Sequence, residues 1–318
     1  MARAPRLQRR AVLSAGASAL AMPFILRPAV AIEPYQAVWD ADLEADGLPA
    51  LPLGQRGRDE TGYVLVDERG DGVDHRLIAE VHLPAGKRPG YAAFKALMDN
   101  YHADGFDGET TTADEARETL SFIDYCVDHP ALAAVARFAE IESGQRLSRD
   151  ALRELVFTIW FKPFALGRKE GLSGFEHVML GEQSGRDELG GQHFWYGYYL
   201  YDSVILGADR IDFAGYRYGR DDALERAGRA TPQVGTLAYA WFAPDGAGGR
   251  TRLFQEIGGF WIGPSPAGMI ALGTLRYLQG GEGERPATIH GVRYDVVLHT
   301  SPDDSAIRTV FPIFRGTA

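Results

Sequence analysis

Cysteine is nearly absent from this sequence. A single residue, Cys126, in a chain of 318 excludes an intrachain disulfide and argues against a cysteine-built zinc site. One thiol suits either the cytoplasm or an export route that carries proteins already folded. The short motifs of several common chemistries are missing too: there is no His-Glu-x-x-His, no Gly-x-x-x-x-Gly-Lys and no strand-linked Gly-x-Gly-x-x-Gly. "GLSGF" around Ser173 breaks the nucleophile elbow Gly-x-Ser-x-Gly at its last position. Zinc proteolysis, nucleotide binding on a P-loop or Rossmann turn, and serine hydrolysis therefore have no positive signal. Positive charge is also short, with 33 Lys and Arg against 43 Asp and Glu for a net charge of −10. Such a body attracts polyanions poorly, which argues against a nonspecific nucleic-acid binder. Any nucleic-acid substrate must meet a local basic groove or bound cations.

What is present begins with an export-like N-terminus. "LQRRAVLSAGASALAMPFILRPAVA" has paired arginines Arg9-Arg10, a modest apolar run from Ala11 to Leu26, and a small-residue Ala29-Val30-Ala31 end. The run is short for a transmembrane span, so no stable membrane insertion is expected. The paired arginines resemble a twin-arginine (Tat) signal, which carries folded cargo. Residues 1–31 are expected to be removed on export, leaving a periplasmic or secreted protein that starts near Ile32. Their loss takes away Arg3, Arg6, Arg9, Arg10 and Arg27 and no acid, so the charge becomes about −15.

The remainder divides into three stretches. Residues 32–87 read as an N-terminal extension with strand-like "YVLVDE" and "HRLIAEVHL". Residues 88–170 read as a helical lobe. There "YAAFKALMDNY" places Tyr91, Phe94, Leu97, Met98 and Tyr101 on one face, and Thr112 precedes Glu115 in capping-box spacing. Pro130 stands at the first turn of "PALAAVARFAEI", and Ser148 can cap "RDALRELVFTIWF". Residues 171–318 read as an antiparallel sheet lobe of short alternating runs, including "HVMLGE", "HFWYGYYLYD", "GTLAYAWFA", "RLFQEIGGFWIG", "YDVVLHT" and "IRTVFPIF". One helix interrupts them, capped by Ser265 with Pro266 at its start. Helices followed by sheets, in a chain with 38 glycines and 11% aromatics, make an α+β fold.

"SGFEHVMLGEQSGRDELGGQHFWYGYYLYD" (173–202) carries His177 and His193 with Glu176 and Glu182 close by. Two imidazoles suit cleavage of RNA through its own 2′-hydroxyl. One, neutral, deprotonates that hydroxyl; the other, charged, protonates the departing 5′-oxygen. A third group must stabilise the charge on the phosphorane. Two unrelated structural histidines are the alternative that the residues alone leave open.

"SGFEHVMLGE", followed by "GGQHFWYGYYL", resembles the signature of the EndoU family of poly(U)-specific endoribonucleases, Ser-Gly-Phe-Glu-His-Val-x-x-Gly-Glu and then Gly-x-His-x-Trp. "PGYAAFKALMDNY", "LRELVFTIWFKPF", "DFAGY" and "GGFWIGPSPAGMIALGTL" continue the likeness in order over roughly residues 88–315. The resemblance implies an EndoU-like fold and cleavage of single-stranded, uridine-containing RNA to 2′,3′-cyclic phosphate ends. It implies His193 as base and His177 as acid. Glu176 and Glu182 would support the imidazoles or hold a divalent cation, Mn²⁺ first among candidates. Trp195 matches the family's Trp after the second histidine, and its reading as a packed aromatic is preferred. A monomer is expected.

The departures are specific. The family's catalytic lysine falls on Gln255, and no lysine follows Lys169. Arg252 is nearby but on a regular strand faces away from that position. The family's late tyrosine falls on His299, the following Tyr-Pro becomes Phe311-Pro312, and Leu-Tyr-Thr becomes Leu272-Gly273-Thr274. Gln255, His299 or a metal ion would then stand in for the lysine in a slow enzyme. The competing readings are a catalytically weakened RNA- or phosphate-binding protein and an enzyme for another phosphodiester.

Overall fold

A computed structural model describes residues 33–70, 73–104, 111–167, 169–202, 211–244 and 249–318. The export-like segment lies outside these residues. The chain mixes helices with several small antiparallel sheets, as an α+β fold.

The helix boundaries follow the local chemistry. In α3 (Ala113–Asp128), Thr112 Oγ1 accepts from the Glu115 amide at 3.2 Å and Glu115 Oε2 accepts from the Thr112 amide at 2.5 Å, a complete capping box. Pro130 opens α4 (Pro130–Ser143), Ser148 caps α5 (Arg149–Val156), and Ser265 caps α8 (Pro266–Leu278). Pro89 stands in the first turn of α2 (Arg88–Ala96).

The extension contributes more than a hairpin. It opens with α1 (Pro34–Ala45), whose buried residues Tyr35, Val38, Trp39 and Asp42 fall at helical spacing. Strands β1 (Ala50–Pro52), β2 (Tyr63–Val66) and β3 (Ile78–His82) follow as one three-stranded sheet. Helix α1 packs on α4 and α8. Asp42 accepts from both the amide and the hydroxyl of Ser265, at 2.8 and 2.5 Å, which ties the extension to the N-terminus of α8.

After α5 the chain makes a π-helical turn (Phe157–Phe161) and a hairpin of β4 (Phe164–Leu166) and β5 (Lys169–Leu172). Two stretches expected as strands are helical instead. "HVMLGE" is mostly taken up by a π turn over Glu176–Leu180, and "HFWYGYYLYD" contains α6 (Trp195–Tyr201). Six of the seven residues of α6 are buried, so it has no solvent face whose spacing could separate helix from strand. Between these two lies a minimal hairpin, β6 (Glu182–Gln183) and β7 (Leu189–Gly190).

Of the later strands β8, β9, β10, β12 and β13 form where expected, whereas β11 and the helix α7 were not expected. β8 (Ile211–Tyr216), β9 (Val234–Pro244) and β10 (Arg250–Trp261) pair in the order β10-β9-β8, with α7 (Asp222–Arg229) between β8 and β9 in the chain. β11 (Gly283–Ile289), β12 (Val292–Thr300) and β13 (Ile307–Thr317) pair in sequence order. Pro312 is tolerated in β13 because that strand is an edge of its sheet. Beneath the site, Phe175 stacks on Phe161 with ring centroids 4.7 Å apart and also meets Phe94 and Phe122. Each such buried ring contributes about 1.5–3 kcal/mol. This cluster fixes the turn that carries His177.

Candidate active site

The two histidines lie on either side of the β6–β7 hairpin. His177 sits in the π turn and His193 in the loop that enters α6. The His193 amide donates to the Val178 carbonyl at 2.7 Å, and the Gln192 amide donates to the His177 carbonyl at 2.8 Å. These two backbone bonds bring the ring centroids to 6.1 Å. That is too far for a bond between the rings and suitable for both to reach one phosphate group.

Their surroundings differ. His177 Nδ1 faces the Glu182 carboxylate at 2.9 Å, which leaves Nε2 as the ring nitrogen available to a substrate. Glu182 in turn meets Lys169 Nζ at 3.4 Å, and Lys169 also donates to the Gln183 carbonyl at 2.6 Å. Burial pushes the Glu182 carboxyl up, but the charges and hydrogen bonds of His177 and Lys169 outweigh it and hold the group below its ordinary value. Glu182 is therefore an ionised partner that orients His177.

His193 is 6% exposed. Its Nδ1 donates to the Gly259 carbonyl at 2.9 Å, and its ring stacks on Phe311 at 4.6 Å. A carbonyl can only accept, so the proton of the neutral ring resides on Nδ1 and Nε2 keeps its lone pair. Burial, with the His177 charge beside it, pushes His193 down to about 3. The pair thus holds one imidazole neutral and gives the other a carboxylate partner, the split of environments that acid–base catalysis needs.

A cleft of about 420 Å³ opens beside His177, with His193 buried behind it and not part of the lining. His177, Glu182, Lys169, Arg308 and Thr309 contribute to its lining, with apolar residues of β4 and β5. Its charged lining is two cations, Lys169 and Arg308, against one carboxylate, Glu182.

The remaining sequence-selected residues are placed as follows. Glu176 is buried, and its amide donates to Ser173 Oγ at 3.1 Å. Trp195 is fully buried and donates from Nε1 to the Pro264 carbonyl at 2.7 Å, a packing role. Gln255 is also buried, and its amide nitrogen lies 3.5 Å from the Gly191 carbonyl and 3.4 Å from that of Ile257. Its side chain braces the histidine loop and is not part of the cleft lining. Arg252 is exposed, with its guanidinium 5.4 Å from the Phe254 ring centroid. His299 pairs with Thr309 across β12 and β13, on the same face of that sheet and one strand back from the cleft.

Sequence reasoning passed over Lys169, Arg308 and Thr309. Lys169 carried no motif. Arg308 reaches the cleft only because of an irregularity in the β12–β13 ladder, where Thr300 pairs with Ile307 but His299 pairs with Thr309. Arg308 is the extra residue of that bulge.

Comparison with known proteins gives a consistent family. The profile described as Endoribonuclease XendoU matches residues 52–312, reaching further upstream than the resemblance over roughly residues 88–315. A poly(U)-specific endoribonuclease of Xenopus tropicalis is 26% identical over 236 residues, covering 72% of this chain and 74% of that protein. Uridylate-specific endoribonuclease C of Danio rerio is 27% identical over 227 residues, covering 70% and 67%. The solved structure of XendoU, a splicing-independent snoRNA-processing endoribonuclease, superposes with a TM-score of 0.66 at 23% identity, over 90% of this chain and 97% of that one, a likeness of fold. With the family profile spanning most of the chain and the two histidines of its signature brought to ring centroids 6.1 Å apart, this protein belongs to the XendoU family of endoribonucleases.

Proposed function

We propose that this protein cuts single-stranded RNA at uridines by transesterification. His193 Nε2 removes the proton of the 2′-hydroxyl, and that oxygen attacks the adjacent phosphorus. The bond from O2′ to phosphorus forms as the bond from phosphorus to O5′ breaks. His177 Nε2 delivers a proton to the departing O5′, with Glu182 balancing the imidazolium charge. No water is consumed, and the products carry a 2′,3′-cyclic phosphate and a 5′-hydroxyl. The observation that carries this reading is the unlike setting of two imidazoles whose centroids are 6.1 Å apart, one on a carboxylate and one on a backbone carbonyl. The uridine preference is supported by the poly(U)- and uridylate-specific relatives.

A divalent cation would supply further charge stabilisation at the phosphate, but Glu176 and Glu182 do not fit a resident one. Both Glu182 oxygens face His177, and one also faces Lys169. No cluster of three or more His, Cys, Asp or Glu suited to a metal occurs among the described residues. A Mn²⁺ effect would then arise from cations that accompany the RNA. Export through residues 1–31 belongs to the same proposal, supported by Arg9-Arg10 and Ala29-Val30-Ala31. Among the described residues no helix is long and apolar enough to cross a membrane.

The test is an oligonucleotide with a single uridine, incubated with and without Mn²⁺ and analysed by mass. A new 2′,3′-cyclic phosphate end is expected, and His177→Ala and His193→Ala should each reduce cutting to background. Equal cutting of the same oligonucleotide carrying 2′-deoxyuridine would overturn the mechanism.

A further inference from the structure

The reaction proposed above places extra negative charge on the phosphate, and neither histidine neutralises it. The cleft has two cations in its lining, Lys169 and Arg308. Lys169 is already engaged by the Glu182 carboxylate and the Gln183 carbonyl, and Gln255 is buried against two backbone carbonyls. Arg308 differs from both. It is half-buried, and neither a carboxylate nor any other hydrogen-bonding partner holds its guanidinium among the described residues. An arginine turned into a concave site without a carboxylate is poised for an anion, because its planar fork matches two phosphate oxygens.

The backbone is shaped for this placement. On a regular strand Arg308 and Thr309 would point to opposite faces. The bulge at Arg308 breaks that alternation, and both residues line the cleft. Two positions on, Phe311 stacks on His193, so one short run of β13 touches both the cleft and the base. A second observation points to a ligand. Thr309 is 6% exposed, and its hydroxyl is buried with no hydrogen-bond partner. An unpaired buried hydroxyl costs about 1–3 kcal/mol, and a bound polar group in the cleft would relieve it.

We infer that Arg308 grips the phosphate being cleaved and supplies the positive charge that its transition state requires. The inference rests on the RNA-cleaving reading of this site. Arg308 transfers no proton. It binds the non-bridging oxygens while O2′ attacks and O5′ leaves, and its contact tightens as charge builds on them.

The experiment compares the full-length protein with Arg308→Ala, Arg308→Gln and Arg308→Lys on the single-uridine oligonucleotide. Removing one preorganised donor typically lowers the rate about 10²–10³-fold, and that fall in kcat is expected for Arg308→Ala. Arg308→Gln should be as slow, whereas Arg308→Lys, which keeps the charge, should recover at least about tenfold of the loss. Melting temperatures should stay close to the parent, because Arg308 loses no internal partner. Cutting by Arg308→Ala within about threefold of the parent would overturn the inference, as would equal losses in the lysine and glutamine variants. A parent that cuts no RNA would defeat the activity reading instead. Arg308 is then decided on binding of the 2′-deoxyuridine oligonucleotide at low salt, where Arg308→Ala should bind at least about tenfold more weakly and equal affinity would overturn it.

Discussion

Gly191 lies against the His177 carbonyl so closely that no side chain fits between them. Its φ of +72° is in the left-handed region, which glycine enters at little cost. The two residues after it make the backbone bonds that dock His193 beside His177. The distance between the two imidazoles is therefore set by a contact that only hydrogen permits.

Gly191→Ala should damage the site more than the fold. A Cβ there meets the His177 backbone, and the loop carrying His193 must move. We expect activity to fall at least about 10²-fold, since small misplacements of reacting groups cost that much. Positive φ for alanine adds about 1–2 kcal/mol of strain. A crystal structure of the variant with ring centroids still near 6.1 Å and unchanged turnover would contradict this account.

Glu182→Gln tests the orienting carboxylate. The amide keeps nearly the same shape but removes the charge that faces His177 and Lys169. A drop of about 10²–10⁴ in kcat is expected, the usual range for general acid–base assistance. Stability should fall as well, by about 3–5 kcal/mol at most, because the buried Lys169–Glu182 ion pair is broken. The double variant Glu182→Gln/Lys169→Met should regain stability but not activity. Recovery of both would mean that Glu182 only neutralises Lys169.

Much of this was legible in the sequence, for local reasons. The caps at Thr112, Ser148 and Ser265 use chemistry contained within a few residues, and β9, β10, β12 and β13 are short apolar runs bounded by turn residues, with β9 buried along nearly its whole length. The stripe of α1 was also present as Tyr35, Val38, Trp39 and Asp42, but its last member is a carboxylate, whose burial makes sense only once Ser265 stands opposite it. Residues 194–201 were misread because burial on all sides erases any period. Both histidines could be picked out, since the signature around them is local. Arg308 could not, because its direction depends on a one-residue bulge set by pairing with β12.

Mn²⁺ should leave the stability of the RNA-free protein unchanged. A ligand that binds only the folded state raises the melting temperature with concentration. With Glu182 committed to His177 and Lys169, Glu176 and Glu182 offer no such site. Thermal melts across a Mn²⁺ titration and in EDTA should therefore coincide. A saturable rise in melting temperature, lost in Glu176→Gln, would establish a resident cation and reverse this conclusion.

Two buried groups should tilt stability with pH in opposite directions. Burial and the neighbouring His177 charge hold His193 at about 3 in the folded protein, against 6.5 unfolded. Below 6.5 the unfolded chain takes up a proton that the folded one refuses. The His193 contribution is thus complete above 6.5 and is lost as pH falls towards 3. Asp42 runs the other way. Burial raises its carboxyl to about 7, against 3.8 unfolded, despite the bonds from Ser265. Its contribution is complete below 3.8 and is lost as pH rises through 7, because the folded state gives up its proton reluctantly. Melting temperatures followed between pH 4 and 7 should separate them. Relative to the parent, His193→Asn should lose stability as pH rises, since the favourable histidine trend is gone and Asp42 remains. Asp42→Asn should gain relative stability over the same interval, whatever its overall offset from changed contacts to Ser265. Curves for both variants that run parallel to the parent would show that neither group titrates away from its ordinary value.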